Sequence, residues 1–287
     1  MSTGQSELQT VKFQGVDGLT LIADEWNRDA ESAANRSSVL FLHGGGQNRF
    51  SWKSTGQILA DEGLHVIALD SRGHGDSDRA PDANYTVDAL VGDTLAVLEQ
   101  IGRPTILIGA SMGGMTALPV AYQAGPDKVT KLVLVDVVPR YEKDGSARIR
   151  EFMASGLDGF ESLDEAADAV AAYLPHRSKP RSPEGLKKNL RFRDGRWHWH
   201  WDPAFLTVPS DDSFVRTEML EQAAIALTIP ILLIRGRLSD VVSEEGVKHF
   251  LETVPHAEFA ELSDAGHTAA GDDNDAFSEV VVQFVDR

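Results

Sequence analysis

The chain has 287 residues, of which 42% are hydrophobic and 25% charged, enough apolar material for a sizeable folded core. With 44 acidic against 27 basic residues, the formal net charge is −17, which argues against a nucleic-acid partner and a polybasic membrane anchor because such a surface repels phosphate groups. No cysteine is present, which excludes disulfides, thiolate zinc sites and a cysteine nucleophile.

The first residues, MSTGQSELQT, have neither the charged nor the apolar region of a signal peptide. No run of about 18 apolar residues is available to span a bilayer. We therefore expect a cytoplasmic protein without a membrane partner, either a monomer or a homodimer.

Taken in chain order, short apolar runs alternate with longer amphipathic stretches. Two runs around Asp17-Gly18, at 11–13 and 19–26, predict an antiparallel hairpin at a sheet edge. Buried strands are then predicted at 39–42, 65–69, 105–109 and 132–135, and helices at 51–62, 85–101 and 112–123. The strands are apolar on both faces, as in a parallel sheet covered by helices. The pattern predicts an α/β fold with a mostly parallel sheet of about eight strands and helices on both faces.

The alternation stops between residues 139 and 215, a segment that we call the insertion. It contains no buried-strand run, but it has a helical stretch at 162–174 and an aromatic patch, Trp-His-Trp-His-Trp, at 197–201. The α/β alternation then resumes with a strand at 229–234, a helix at 243–253, a strand at 257–262 and a last helix from about 272. We therefore predict one discontinuous core domain, 1–138 with 216–287, and a helical cap or lid at 139–215.

The segment Gly109-Ala110-Ser111-Met112-Gly113 fits the pattern G-x-S-x-G between a predicted strand and a predicted helix. A sharp turn there exposes the serine and needs glycine on both sides to close. The helix behind it points its first N–H groups towards the place where an oxyanion would form. We predict Ser111 as a nucleophile and the Met112 N–H as an oxyanion donor; the alternative is a chance glycine-rich turn.

A second oxyanion donor is expected from the glycine run His43-Gly44-Gly45-Gly46, which follows a predicted strand. Glycines let backbone amides approach a substrate oxygen closely. The Gly45 N–H is the candidate donor, and His43 is expected to support the loop rather than act as a base. The alternative is a flexible loop without a catalytic role.

A serine nucleophile needs a base, and an acid that orients the base. Among nine histidines, His267 is the predicted base because it lies in the turn between the last predicted strand and the last helix. Asp240 is the predicted acid because it follows the strand at 229–234 and gives the chain order Ser, Asp, His. Asp136, which ends the strand after the nucleophile, is the alternative acid. For His74, in a polar turn, we expect a structural hydrogen-bonding role.

The aromatic residues of the insertion are candidates for the substrate pocket. We expect contacts from Phe152, Trp197, Trp199 and Phe205, and the alternative is that they only pack the lid. His198, His200 and Asp202 fit the first part of a metal motif, H-x-H-x-D-H, but Pro203 occupies the position of the last histidine. We therefore predict no metal and no organic cofactor.

Taken together, these motifs resemble the α/β-hydrolase superfamily over nearly the whole chain. The similarity rests on His43-Gly44-Gly45-Gly46 with Trp52 nine residues after the histidine, on DSRGHGDS at 70–77, and on the motifs around Ser111, Asp240 and His267. The branch it resembles contains small capped esterases, lactonases, perhydrolases, C–C hydrolases and epoxide hydrolases. This resemblance places Gly44 and Trp52 among the candidate substrate-binding residues.

The resemblance also narrows the reaction. Epoxide hydrolases and haloalkane dehalogenases use an aspartate nucleophile, so Ser111 argues against an alkyl-enzyme route. Many relatives have an aromatic residue where this chain has Gly45, and we expect more room at the acyl side. The predicted function is hydrolysis of a carboxylic ester or lactone through an acyl-enzyme. C–C bond hydrolysis or perhydrolysis on the same triad stays open, and so does a hydrolase-fold binding protein with little turnover.

Overall fold

A computed structural model describes residues 7–30, 33–174, 182–207, 217–268 and 274–287. Its centre is an eight-stranded sheet in the order β1-β2-β4-β3-β5-β6-β9-β10. Its strands are β1 Leu8–Gln14, β2 Thr20–Trp26, β3 Ser38–Leu42, β4 Val66–Leu69, β5 Thr105–Ala110, β6 Val129–Val135, β9 Ile231–Gly236 and β10 Glu258–Leu262. β1 and β2 form the predicted antiparallel edge hairpin, β2 pairs antiparallel with β4, and all remaining pairs are parallel. The predicted fold class is confirmed.

Helices cover both faces of this sheet. In chain order, the helices are α1 Lys53–Asp61, α2 Val87–Ile101, α3 Met112–Ala124, α4 Lys143–Ala154, α5 Leu163–Tyr173, α6 Thr217–Ala226, α7 Glu244–Thr253 and α8 Asn274–Asp286, of which α4 and α5 belong to the insertion. One core contains residues of α2, α3, α6 and α7, and the other contains residues of α1 and α8. Along β3, Leu40 and Leu42 enter the first core while Val39 and Phe41 enter the second. Because successive strand residues point to opposite faces, a strand buried on both sides is apolar throughout.

The parallel part of the sheet determines where the site forms. β3, β5, β6 and β9 are consecutive neighbours and point in one direction. The residues that follow them therefore meet at one edge, which is where ligands bind in open α/β sheets. The glycine run follows β3, Ser111 follows β5 and Asp136 follows β6.

The insertion connects β6 to β9, which are adjacent in the sheet. Besides α4 and α5 it contains 3₁₀ turns at Pro183–Lys188 and Pro203–Thr207 and an antiparallel hairpin of β7 Leu190–Arg193 and β8 Arg196–Trp199. The insertion therefore contains helices, as expected of a helical cap, and in addition a hairpin, because part of the alternating aromatic patch forms a strand. Parts of the predicted lid, 175–181 and 208–216, lie outside the described residues. Its boundaries at 139 and 215 stay a prediction.

The insertion has a core of its own that continues into the main body. Met153, Phe160 and Trp199 pack in one cluster with Tyr85 and Met112 of the sheet domain. Within the described ranges, every helix is too short or too polar to cross a lipid bilayer.

Candidate active site

Ser111 lies in a sharp turn between β5 and α3. Its backbone has φ 48° and ψ −114°, a region that costs a residue with a side chain about 1–3 kcal/mol. A Cβ atom at Gly109 would lie 2.4 Å from the Gly113 carbonyl oxygen, and one at Gly113 would lie 2.1 Å from the Leu42 carbonyl oxygen. Glycine at both positions is therefore what allows the turn to close, and the turn presents Ser111 to a cavity.

The glycine run after β3 approaches this turn closely. A Cβ atom at Gly44 would lie 3.5 Å from Ser111 Cβ. The Gly44 N–H donates to Gln47 Oε1 at 3.1 Å, and the Gly46 N–H donates to His74 Nε2 at 3.2 Å. By contrast, the Gly45 N–H and the Met112 N–H, at the first turn of α3, have no acceptor in the described part of the chain. These are the two amides that the sequence predicts as oxyanion donors.

Two buried histidines hold the glycine run from behind. His43 accepts a hydrogen bond from the Ser71 N–H at Nε2 (3.0 Å), and its Nδ1 lies 2.8 Å from the Gly44 carbonyl oxygen. Burial lowers the pKa of His43 to about 4. The ring is therefore neutral, and its proton is on Nδ1, which donates to Gly44. The structure gives His43 the supporting contacts that the sequence predicts.

His74 has a comparable place one loop further on. Its Nε2 accepts from the Gly46 N–H and its Nδ1 lies 3.1 Å from the Arg72 carbonyl oxygen. Burial, and then the proximity of His43, lower the pKa of His74 to about 3. A neutral His74 can accept from Gly46, which agrees with the expected hydrogen-bonding role.

His267 follows β10 and lines the same cavity as Ser111. Its Nδ1 lies 2.7 Å from Asp136 Oδ2. Asp136 is fully buried and has a positive φ of 50°, which turns its side chain back at the end of β6. Its Oδ1 accepts from the Gly236 N–H at 3.1 Å, and its Oδ2 accepts from Ser239 Oγ at 2.6 Å. The carboxylate is therefore fixed from two sides while its Oδ2 is hydrogen-bonded to the imidazole.

The prediction that Asp240 orients His267 is wrong in this structure. Asp240 forms an ion pair with Arg148 on α4 at 2.8 Å, and 37% of its side chain is exposed. The loop after β9 brings Ser239 to the site instead, and Ser239 Oγ accepts from the Val241 and Val242 N–H groups at 3.2 Å. This tight turn directs the next residue, Asp240, away from the imidazole. The alternative acid, Asp136, takes the position beside His267.

A cavity of about 1170 Å³ opens over Ser111 and His267. The insertion contributes most of its apolar lining, with Ile149, Phe152, Met153, Ala167, Val170, Leu174, Trp199 and Trp201, and also the polar residues Ser182, Lys188 and Asn189. The glycine run, the next 3₁₀ turn and α1 form a more polar wall, with Gln47, Ser51, Lys53, Ser54 and Gln57. Such a site can hold a ligand that has both an apolar group and a polar group.

A model of the alpha/beta hydrolase fold matches residues 37–273 of the sequence. The chain belongs to the alpha/beta hydrolase fold family. Esterase Rv0045c of Mycobacterium tuberculosis is 32% identical, over 86% of this chain and 82% of that protein. A structure of this esterase has a TM-score of 0.76 and 29% identity, and covers 100% of this chain and 94% of the other.

Two further comparisons agree with this placement. The sn-1-specific diacylglycerol lipase ABHD11 of Mus musculus is 28% identical, over 88% of this chain and 82% of that protein. The structure of E-2-(acetamidomethylene)succinate hydrolase has a TM-score of 0.83 with 21% identity, and covers 98% of this chain and 100% of the other. At this identity the second match supports the fold alone. The predicted superfamily is confirmed.

The residues predicted to bind substrate divide into two groups in this α/β hydrolase. Gly44, Phe152 and Trp199 line the cavity. Trp52 does not reach it, because it is fully buried on the α1 and α8 side of the sheet and stacks on Phe41 with ring centroids 4.8 Å apart.

The other two predicted residues also pack away from the cavity wall. Trp197 lies against Phe192 at the outer end of the β7–β8 hairpin, with ring centroids 5.0 Å apart. Phe205 is buried edge-on against His74, 5.0 Å between centroids, beneath Gly45. Sequence reasoning missed Met153, Trp201 and Lys53 as wall residues. Trp201 could have been found from its two-residue spacing to Trp199, since the two indoles stack at 4.8 Å.

In this α/β hydrolase, two residues of the partial metal motif, His200 and Asp202, form hydrogen bonds with different partners. His200 Nδ1 accepts from the Gly75 N–H at 2.7 Å, and Asp202 accepts from the Tyr85 hydroxyl at 2.6 Å. Among the described residues, no group of three or more His, Cys, Asp or Glu side chains is arranged to hold a metal ion.

Proposed function

We propose that this chain is a serine hydrolase that cleaves carboxylic esters through an acyl-enzyme intermediate. Ser111 is the nucleophile, His267 the general base and Asp136 the acid that orients it. The observation that carries the proposal is the hydrogen bond of 2.7 Å from His267 to a fully buried carboxylate, with Ser111 on the wall of the same cavity. The names of the relatives, an esterase and a diacylglycerol lipase, support ester hydrolysis.

The proposed first step is attack of Ser111 Oγ on the ester carbonyl while His267 Nε2 takes its proton. Among the described residues no hydrogen bond holds the Ser111 hydroxyl, so it can rotate to meet the imidazole. The His267 Nδ1–H donates to Asp136, which keeps the imidazole in the tautomer that can accept a proton and stabilises the imidazolium.

The tetrahedral intermediate places a negative charge on the former carbonyl oxygen. The proposed donors to it are the N–H groups of Met112, next to Ser111 in the chain, and of Gly45, next to Gly44, whose Cβ position is 3.5 Å from Ser111 Cβ. One such donor typically contributes about 3–4 kcal/mol of transition-state stabilisation. His267 then protonates the departing alcohol. In the second half of the reaction His267 takes a proton from water, which attacks the acyl carbonyl. The carboxylic acid leaves, and His267 returns the proton to Ser111 Oγ.

The apolar wall suggests where the acyl group lies. Phe152 and Met153 of α4 and the stacked Trp199 and Trp201 cover the space next to Ser111. We assign this wall, and the insertion that carries it, to a lid over the acyl group. A cavity of about 1170 Å³ has room for a medium-length alkyl chain or a lactone ring.

The direct test uses Ser111→Ala with Ser263→Ala as a matched control on an exposed loop. A fluorophosphonate probe should label the wild type and the control but not Ser111→Ala. On a panel of p-nitrophenyl esters and lactones of increasing chain length, turnover should fall about 10⁴- to 10⁶-fold in Ser111→Ala only. An unlabelled wild type, or a Ser111→Ala variant that retains turnover, would contradict the proposal.

A further inference from the structure

The wall of the cavity differs in charge from the rest of the molecule. Roughly one residue in seven of the chain is acidic, and the net charge is −17. Among the described residues that line the cavity there are two lysines, Lys53 and Lys188, and no aspartate or glutamate. The carboxylate nearest to the chemistry, Asp136, is fully buried behind His267 and is held by hydrogen bonds. The described lining of the space that receives the substrate therefore has basic but no acidic side chains, in a protein that is acidic as a whole.

Lys53 has a defined position in this region. It is the first residue of α1, and Ser54, Gln57 and Ile58 of the same helix also line the cavity. Residues three and four apart share one helix face, so this face of α1 is turned towards the cavity. Lys53 itself is exposed, so its ammonium group is hydrated and can be reached by a ligand.

Among the residues that the structure describes, Lys53 also lacks a counterion. Elsewhere, lysines such as Lys128 and Lys187 form ion pairs with Glu99 and Glu184. In the described ranges, no carboxylate lies within ion-pair distance of Lys53. An unpaired cation on a wall whose described residues include no carboxylate favours an anion in the bound molecule, since none of those residues neutralises it.

A second part of the cavity lining is apolar. Ile149, Phe152 and Met153 of α4 and the two stacked indoles of Trp199 and Trp201 are apolar and partly or fully buried. A ligand that fills both sides therefore has an apolar part and a charged part.

We propose that the substrate is an anionic ester, in which a carboxylate or phosphate group is bound near Lys53 while an apolar group lies against the insertion. This inference rests on the proposed ester hydrolysis. Lys53 is a specificity-determining residue in this scheme, because it contacts the charged end of the substrate and not the reacting atoms. It also offsets the repulsion that an anion meets as it approaches a protein of net charge −17.

The experiment compares p-nitrophenyl esters of matched acyl length: the neutral hexanoate, the half-ester of adipate, which ends in a carboxylate, and an analogue that ends in a phosphonate. The measured quantity is the ratio of kcat/KM for each charged ester to that for the neutral ester. It is determined in the wild type, in Lys53→Gln and in Lys53→Glu. Lys248→Gln is the control, since it removes the same charge on α7, where Lys248 lies near Glu252.

We expect the ratio to fall about two- to fivefold in Lys53→Gln and about tenfold in Lys53→Glu, which corresponds to the loss and then the reversal of an exposed charge contact. The ratio should stay unchanged in Lys248→Gln. Because each ratio is taken within one variant, an effect of the substitution that is common to the charged and the neutral ester cancels. The wild-type ratio should also fall as salt is added, because salt screens exposed charges. If the ratio falls in the Lys53 variants for only one of the two charged esters, that ester identifies the anion, carboxylate or phosphonate, that Lys53 binds.

The outcome that overturns the inference is distinct from failure of the proposed function. If all esters are cleaved but the ratio is the same in the wild type and in Lys53→Glu, the proposal of an anionic substrate is wrong, whereas the proposed ester hydrolysis is retained. If Ser111 is not labelled and no ester is cleaved, the proposed function is wrong. Binding of the hexanoate anion against hexanol, followed by tryptophan fluorescence in the wild type and Lys53→Glu, then still tests Lys53. If Lys53→Glu loses affinity equally for hexanoate and hexanol, or for neither, a role for the charge of Lys53 is contradicted.

Discussion

At the scale of single residues, the acid is where the sequence and the structure disagree. Asp136 and Asp240 both follow a strand of the sheet, and the chain order Ser, Asp, His holds for either. What separates them is the backbone at Asp136, with φ 50°, and the hydrogen bonds it accepts from Gly236 and Ser239. Those contacts span about 100 residues, which no local pattern in the sequence can reveal.

Ser111 was predictable for the opposite reason. Its turn depends on local sterics, because a Cβ atom at Gly113 would lie 2.1 Å from a backbone carbonyl oxygen and one at Gly109 2.4 Å from another. A steric requirement of this kind is visible in the local sequence, because it fixes glycine two positions before and two positions after the serine. His267 was predictable because its loop follows the last strand of the alternation.

The two carboxylates can be separated by one pair of variants. Asp136→Asn should lower kcat about 10⁴-fold, because an amide favours the wrong imidazole tautomer and cannot stabilise the imidazolium. Asp240→Asn should leave kcat unchanged, since it removes only a partly exposed ion pair with Arg148. Initial rates on a p-nitrophenyl ester would measure both, with thermal unfolding to verify that each variant is folded. A large loss of kcat in Asp240→Asn and none in Asp136→Asn would reverse our assignment.

At the scale of elements, the buried parallel strands and their helices follow from the sequence. The expected strand at 105–109 is β5, Thr105–Ala110, and the expected helix at 112–123 is α3, Met112–Ala124. Continuous burial imposes an apolar run that is easy to find. The β7–β8 hairpin was missed because it forms a separate two-stranded sheet, partly exposed, whose alternating Trp and His residues suggested a wall rather than a strand.

The space around the glycine run after β3 leads to a prediction about where the acyl group binds. A Cβ atom at Gly45 would lie 3.8 Å from Met153 Sδ and 3.8 Å from Phe205 Cε1, an ordinary contact distance. Gly45→Ala should therefore keep the chain-length preference, whereas the ring in Gly45→Phe should occupy acyl space and shift the preference to shorter esters. The measurement is kcat/KM across p-nitrophenyl esters from acetate to decanoate. An unchanged profile in Gly45→Phe would show that the acyl group lies elsewhere.

At the scale of the whole molecule, three histidines from distant parts of the chain meet beneath the glycine loop. The ring centroids of His43 and His74 are 5.1 Å apart, and those of His74 and His200 are 6.0 Å apart. His200 comes from the insertion, and its Nδ1 accepts from the Gly75 N–H. The cluster therefore links the insertion to the loops after β3 and β4. Sequence analysis could suggest roles for single histidines but not this assembly, since it forms only when the insertion folds back.

All three imidazoles are neutral at pH 7, because burial lowers the pKa of each below its ordinary value, for His43 to about 4 and for His74 to about 3. In the unfolded chain a histidine has a pKa of about 6.5. As the pH falls from 7 towards 4, the unfolded chain therefore binds protons that the folded protein does not, and the free energy of unfolding decreases. For His43 alone the decrease at pH 5 is on the order of 2 kcal/mol.

We accordingly expect the free energy of unfolding, measured by urea denaturation, to fall more steeply between pH 7 and pH 5 in the wild type than in His43→Gln. The variant should be less stable at pH 7, since glutamine replaces the contacts to Ser71 and Gly44 imperfectly. Its free energy of unfolding should nevertheless depend less steeply on pH, because the His43 imidazole is absent. His256→Gln, on an exposed residue, is the matched control and should run parallel to the wild type. Parallel curves for His43→Gln as well would mean that another group is responsible for the acid sensitivity.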